Sequence, residues 1–447
     1  MKKAQITIFI IIGILILIAF GTTIYVASKV KKIEKPKTPQ LQTQTIQDYI
    51  TSCLEIATKE GLTILGKQGG YIYVSQGGLN NIPKFTVKYT DQELGVIDIP
   101  FIVTPPQGNV GTSNCATPDQ KCGEQGRPEC CLFYSKTPHY PFTGFPYLPD
   151  GNEFYQGYYG MNELPPLYKK TPDDKPVSNS IQENLEQYIA KRTAECTNWE
   201  TYKDYNINAG TPKASLIFAE KKQIEKFIEV QALGEKYITI ELEWPVEITS
   251  PSGEKTILTN FATKEPVRLV TIYFTVKQIL DADVTDISYT PKDIDSFTVN
   301  SLKDGENSII IIKDAQSKIE NKPYEFWAAR KNRAPAIWQI NTEPLNEMTF
   351  HVKEDSGATI TIEGNKLIIK DICQDPDKPD PYIIELKATD PDENKITYEA
   401  TPKEIPGETV LGKQVSIRVY AKDESTNQEE WYDYQDIPIQ VALCPVR

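Results

Sequence analysis

Eight cysteines, Cys53, Cys115, Cys122, Cys130, Cys131, Cys196, Cys373 and Cys444, carry most of the reactive chemistry in this 447-residue chain. An even number behind an apolar N-terminus suits disulfides in an oxidising compartment. Four of them crowd into residues 115–131 as Cys-x6-Cys-x7-Cys-Cys, in a stretch rich in turn formers and without helical or strand periodicity. Such a loop has no apolar core of its own, so cross-links would hold it by restricting the unfolded chain. Four thiolates could instead take zinc or an iron–sulfur cluster. The spacing lacks the Cys-x2-4-Cys pairs that grip zinc from a tight knuckle, and adjacent cysteines rarely ligate one ion. Disulfide staples are therefore the expectation. Cys373 and Cys444 share the C-terminal segment and are expected to pair there.

Other reactive groups are sparse. The only histidines are His139 and His351, and the chain has no GxxxxGK[ST] cradle, HExxH pair or GxSxG elbow. A Ser-His-Asp or Cys-His arrangement would have to use His139, beside an aromatic loop, or His351, inside an expected strand, and both read as structural. The 61 acidic residues leave a carboxylate pair for glycoside hydrolysis open, because a sequence does not give their separation. No catalytic residue is assigned, and the chain is read as non-enzymatic. Residues 132–168 hold eleven Phe or Tyr. Tyr155, Tyr158 and Tyr159 could stack on sugars or enter a partner's pocket; the alternative is private packing within a long irregular loop. A formal net charge of −13 excludes nucleic acid as a partner, since a phosphate backbone needs a basic face.

Positioning begins at a membrane. Residues 6–28 contain no charged side chain. As a helix rising about 1.5 Å per residue, they reach about 34 Å against a hydrocarbon core of about 30 Å. The run exceeds the roughly 7–15 residues of a signal-peptide core, so a transmembrane helix in the lipid bilayer is expected. Lys29, Lys31, Lys32, Lys35 and Lys37 follow it, against Lys2 and Lys3 before it, and a bare count of basic residues would leave the rest inside. Long domains translocate largely regardless of that count. Beyond residue 35 the balance is 42 basic against 60 acidic groups, which suits a solvated exterior. The expectation is a single-pass cell-membrane protein with its C-terminal domain extracellular, spaced from the bilayer by a polar, Pro-containing stalk over 29–42.

Lys2-Lys3-Ala4-Gln5-Ile6 resembles the class III signal of archaeal type IV pilin-like proteins. The resemblance implies cleavage between Ala4 and Gln5, so that residues 1–5 are read either as a cytoplasmic segment or as the region of a pilin-type leader. It also implies self-association in a filament whose core is the retained apolar helix.

The region 43–332 is expected to be α+β. Ile46, Tyr49, Ile50, Cys53, Leu54, Ala57, Leu62 and Leu65 form the apolar stripe of a helix ending at Gly66 or at Gly69-Gly70. Ser180-Ile-Gln-Glu183 is a capping box that predicts a second helix closing on Cys196, which could tie to Cys53. A third helix is predicted near 268–282, with strands at 71–74, 85–89, 96–103, 215–218, 224–230, 237–244, 308–312 and 324–329. Cys53 on a helix, then LGKQGGYI, then Leu164-Pro-Pro-Leu167 and the capped helix ending at Cys196 is similar to a recurrent archaeal membrane-anchored surface family. That resemblance implies location and architecture but no activity.

Over 333–447, seven short alternating runs predict a β-sandwich: 348–352, 358–362, 366–370, 382–388, 395–398, 414–420 and 437–441. Ala388-Thr-Asp390-Pro-Asp392-Glu-Asn394-Lys-Ile-Thr-Tyr398 resembles the ATDPDGD-type segment of cadherin-like and related immunoglobulin-like repeats on microbial surface proteins. The resemblance implies calcium on Asp390, Asp392 and Asn394, though Asp-Pro-Asp is equally a turn formula. No other cofactor is in view. Asp375, Asp377 and Asp380 read as a solvated turn. The expected class is thus an N-terminal transmembrane helix, a disulfide-stapled α+β ectodomain, and an all-β immunoglobulin/cadherin-like sandwich. It would serve adhesion or cell-envelope structure by touching another surface protein or a glycan. The alternatives are a pilin-like filament subunit and a carbohydrate-binding or carbohydrate-active surface protein. No Asn-x-Ser/Thr sequon is present, so N-glycosylation plays no part in that contact.

Overall fold

The computed structural model describes residues 40–105, 160–218, 236–338, 340, 345, 348–373, 381–407, 413–424 and 432–444. The expected membrane helix 6–28, the Ala4–Gln5 junction, Cys115, Cys122, Cys130, Cys131, His139, Tyr155, Tyr158, Tyr159, the strand 224–230 and Asp375, Asp377 and Asp380 lie outside these residues.

Helix α1 (Gln40–Lys67) buries Ile46, Ile50, Leu54, Leu62 and Leu65. It ends where Gly69 and Gly70 take positive φ, with the Gly70 N–H closing on the Leu65 carbonyl at 2.7 Å. Helix α2 (Ile181–Cys196) starts at Ser180, whose hydroxyl accepts the Glu183 N–H at 3.1 Å. The two helices meet at Gly61, where a Cβ would lie 2.8 Å from the Tyr188 ring and 2.9 Å from the Leu185 side chain, so a larger residue would push both side chains aside. A disulfide between Cys53 and Cys196 joins them, with Cα atoms 5.6 Å apart across 143 residues of sequence. Tyr49 reinforces the joint: its hydroxyl accepts the Asn198 N–H at 2.8 Å and donates to the Cys196 carbonyl at 3.2 Å.

Two sheets complete the first body. In the first, β1 (Thr86–Asp91), β2 (Gly95–Thr104), β10 (Lys322–Arg330), β9 (Asn307–Ile319) and β8 (Phe297–Asp304) lie in that order, with β3 (Met161–Asn162) added to β2. Among the described strands of this sheet, only β2 and β10 pair in parallel, at Phe101–Ala329 and Val103–Arg330. The second sheet centres on β6 (Ile238–Thr249). β4 (Asn206–Ala209) and β5 (Lys213–Ile217) follow one another along one edge, and β7 (Lys255–Glu265) takes the other. The inner faces of both sheets, α1, α2 and helix α3 (Leu269–Thr285) share one core, including Trp244, Ile272, Val276, Ile310, Ile312 and Phe326.

A second core sits between two four-stranded sheets. One runs β12 (Thr349–Val352), β20 (Tyr432–Leu443), β19 (Lys413–Asp423), β17 (Ile396–Thr401). The other runs β15 (Tyr382–Glu385), β14 (Lys366–Lys370), β13 (Ala358–Glu363), β18 (Glu404–Ile405). A small ribbon of β11 (Ala336–Ile337) and β16 (Ala388–Thr389) leads into this module. Cys373 and Cys444 are disulfide-bonded with Cα atoms 6.1 Å apart.

The expected class is therefore corrected. The described residues form a largely β protein with three helices against twenty strands. Among the described residues, no helix is long and apolar enough to cross a membrane. An α+β middle with an immunoglobulin/cadherin-like sandwich does not describe this arrangement. The physical reason lies in segments such as 255–265 and 297–304. They carry too little apolar alternation to read as strands, yet they complete the ladders of β6 and β9.

Breaking the first disulfide should be costly. Cys53→Ser with Cys196→Ser frees a 143-residue span, and a loss of about 2–4 kcal/mol in unfolding free energy is expected. Urea unfolding of the double variant checks this, and an unchanged midpoint would refute it.

Candidate functional site

Among the described residues, the densest polar chemistry lies where the first body meets the second module. The strand β10 ends at Arg330, and the connector continues through Asn332 and Arg333 to β11. Arg330 and Arg333 are 5% and 0% exposed. Arg333 donates from Nη2 to Asp392 Oδ1 at 2.8 Å, from its backbone N–H to Asp392 Oδ2 at 2.6 Å, and from Nη1 to the Asp283 carbonyl at 2.8 Å. Arg330 reaches Asp283 Oδ1 at 3.0 Å, Asp392 Oδ1 at 3.1 Å and the Ser308 hydroxyl at 3.0 Å. Asp283 comes from the last turns of α3, and Asp392 from the turn between β16 and β17. Two guanidinium groups thus bridge a helix of one unit to a turn of the other.

Neighbouring groups extend the network. Asn332 donates to Asp423 Oδ2 at 2.5 Å, and Asn394 donates to the same oxygen at 3.0 Å and also to the Asn332 side-chain oxygen. Lys303 of β8 donates to the Asp392 carbonyl at 2.8 Å and to Asn394 Oδ1 at 3.2 Å. Gly160 leaves room for the arginine, since a Cβ there would sit 3.3 Å from Arg333 Cδ.

Electrostatics make this seam taut. Four buried carboxylates, Asp283, Asp390, Asp392 and Asp423, stand against two buried guanidinium groups. Burial pulls the Arg333 guanidinium down, but Asp392 and Asp283 beside it outweigh that and hold it above its ordinary value. Asp390 Oδ1 accepts the N–H groups of Asp392 at 2.8 Å and Asn394 at 3.0 Å. Its Oδ2, like that of Asp283, is buried with no hydrogen-bond partner among the described residues. Burial, with the charges of Asp392 and Asp423 adding to it, pushes the Asp390 carboxyl up to about 7.

The structure therefore brings Asp390, Asp392 and Asn394 together, but around arginines. The donor set does not fit calcium: both Asp392 oxygens already face guanidinium or backbone N–H donors, and two cationic side chains lie within hydrogen-bond distance. Among the described residues no group of three or more His, Cys, Asp or Glu is placed to hold a metal ion. His351 lies on β12, where its carbonyl accepts the Cys373 N–H at 2.7 Å. Sequence reasoning missed Arg330 and Arg333. A basic pair flanking the Asn332 boundary, just before an apolar Ala-Pro-Ala-Ile run, was the available signal.

A groove of about 730 Å³ opens between α1, the β1–β2 hairpin and the β9–β10 hairpin. Several of its charges pair with one another. Lys67 meets Asp91 at 2.8 Å and Glu93 at 3.2 Å, Lys322 meets Glu93, and Lys313 meets Glu325 at 2.6 Å. Trp327 donates its indole N–H to Glu325 at 2.9 Å, stacks edge-to-face on Tyr89 at 5.1 Å and has Lys67 at 5.8 Å from its ring. These pairs hold two hairpins to a helix. They do not form a nucleophile with an adjacent base.

No protein-family model, curated protein or solved structure matches this chain.

Proposed function

We propose that the chain is a non-enzymatic contact protein of the cell surface, in which the first body carries the C-terminal module in a fixed orientation for adhesion or envelope structure. The observation carrying this reading is the Arg330–Arg333 seam. A flexible tether would leave the connector in water, whereas these arginines are buried and bonded to both units. A buried ionic joint is a weak source of stability but specifies geometry, because any other docking would strand charges. Rigid presentation is what a protein needs when its work is to hold one surface at a set distance and angle from another. The Cys53–Cys196 and Cys373–Cys444 bridges support an oxidising location.

Protease shaving of intact cells tests the reading. Peptides from the 236–338 and 413–424 segments should be released without lysis, and Cys53, Cys196, Cys373 and Cys444 should resist alkylation in native material until reduced. Release only after lysis, with these thiols freely alkylated, would sink it.

A further inference from the structure

The outer face of the β17–β19–β20 sheet carries an aromatic cluster that the seam does not use. Strand alternation places Ile417, Val419, Ala421, Ile437 and Ile439 in the core and sends the intervening residues outward. The register sets Arg418 opposite Asp436, Tyr420 opposite Tyr434, and Lys422 opposite Tyr432, with Glu399 of β17 beside Tyr420. The three rings form a closed group, with centroids 5.5 Å apart for Tyr420–Tyr432, 6.1 Å for Tyr420–Tyr434 and 6.5 Å for Tyr432–Tyr434. Tyr432 is 38% exposed.

The charges around the rings are used locally. Arg418 makes a two-pronged bond to Asp436 at 2.7 and 3.0 Å and lies 4.2 Å from the Tyr434 ring. Lys422 meets Glu399 at 2.7 Å and lies 5.4 Å from the Tyr420 ring. Among the described residues, the two cations paired with two anions leave the cluster without a net charge with which to attract an ion. Its aromatic C–H and hydroxyl edges, held on a sheet, present apolar area with polar rims at little entropic cost.

Size decides between partners. Three strands about 4.8 Å apart, read over about four residues each, make a platform of roughly 10 Å by 14 Å. A standard protein interface buries about 800 Å² per partner, several times this area. A short run of sugar rings, with apolar C–H faces and hydroxyl edges, matches both the area and the neutrality. We propose that the Tyr420–Tyr432–Tyr434 face is a binding site for a neutral glycan. This deepens the contact reading above and rests on it for its biological setting. The binding itself is a property of the purified chain.

Affinity electrophoresis of the full chain tests it, in gels containing a soluble neutral glucan, a neutral mannan or anionic alginate. Retardation is expected in a neutral gel, with retention about tenfold weaker for Tyr432→Ala, the scale of losing one anchoring ring. Tyr432→Phe should keep most of it, and Tyr237→Ala, which removes an exposed tyrosine elsewhere, should change nothing. Matching circular dichroism and melting curves would show that all variants are folded. Absence of retardation in both neutral gels, equal retention by Tyr432→Ala, or retention in alginate alone would each overturn the assignment, and the last two would point to charge or to a different face. Because the gels use isolated protein, these outcomes stand apart from the shaving result: display at the surface without retardation fails the site alone.

Discussion

Arg333→Met should destabilise the protein by about 3–5 kcal/mol, the range for removing one member of a buried ion pair. Methionine fills much of the same volume, so the loss is electrostatic: Asp392 and Asp283 would remain buried while the donors at 2.8 Å to Asp392 Oδ1 and to the Asp283 carbonyl disappear. Arg330 still touches both carboxylates, which keeps the effect from exceeding that range. The seam should also open before either core melts, so limited proteolysis ought to cut the connector 331–335 in the variant under conditions where the wild type resists. Adding Asp392→Asn to Arg333→Met should recover part of the loss by removing the stranded charge, and a double-mutant cycle measures that coupling. A loss under about 1 kcal/mol, with no new cleavage, would mean the seam is an incidental ion pair and would remove the ground for rigid presentation.

Asp390→Asn should stabilise the protein above neutral pH and leave it unchanged in acid. The folded-state carboxyl is raised from an ordinary value of 3.8 to about 7, so the folded chain binds its proton more tightly than the unfolded one. The stability this contributes is full below the unfolded value and is lost as pH rises from about 4 through about 7. At about 1.4 kcal/mol per unit, the loss approaches about 4 kcal/mol by pH 8, an upper figure because the site can relax or admit water. The Asn variant keeps an acceptor for the Asp392 and Asn394 N–H groups, which Asp390 Oδ1 takes at 2.8 and 3.0 Å, and has no charge to lose. Urea unfolding at pH 5 and pH 8 should therefore show a flatter slope in the variant. Some slope remains, because burial also raises Glu265 to about 7 and acts in the same direction. Equal slopes in the two proteins would contradict the assignment of the proton to Asp390.

Parts of this fold were legible in the residues themselves. The stripe from Ile46 to Leu65 and the capping box at Ser180–Glu183 are local devices, and they appear as α1 and α2 because periodicity and capping act within one turn of chain. Ser215, Ile238–Trp244 and Ile309–Ile312 likewise fall in strands whose alternation faces a core. The edge strands β7 and β8 were not legible: most of their side chains are exposed, and they are strands because β6 and β9 offer them unpaired backbone groups.

The candidate sites divide along the same line. Sequence alone determined which cysteines could bridge, that Asp390-Pro-Asp392 would make a tight acidic turn, and that ordinary catalytic motifs are missing. Only tertiary structure decided what that turn faces. Asp283, Arg333 and Asp392 are separated by 50 and 59 residues in sequence, and no local pattern encodes their meeting. A carboxylate's chemistry is set by the charges that surround it in space, and here docking of two cores placed arginines beside the acidic turn, where the family resemblance implied calcium.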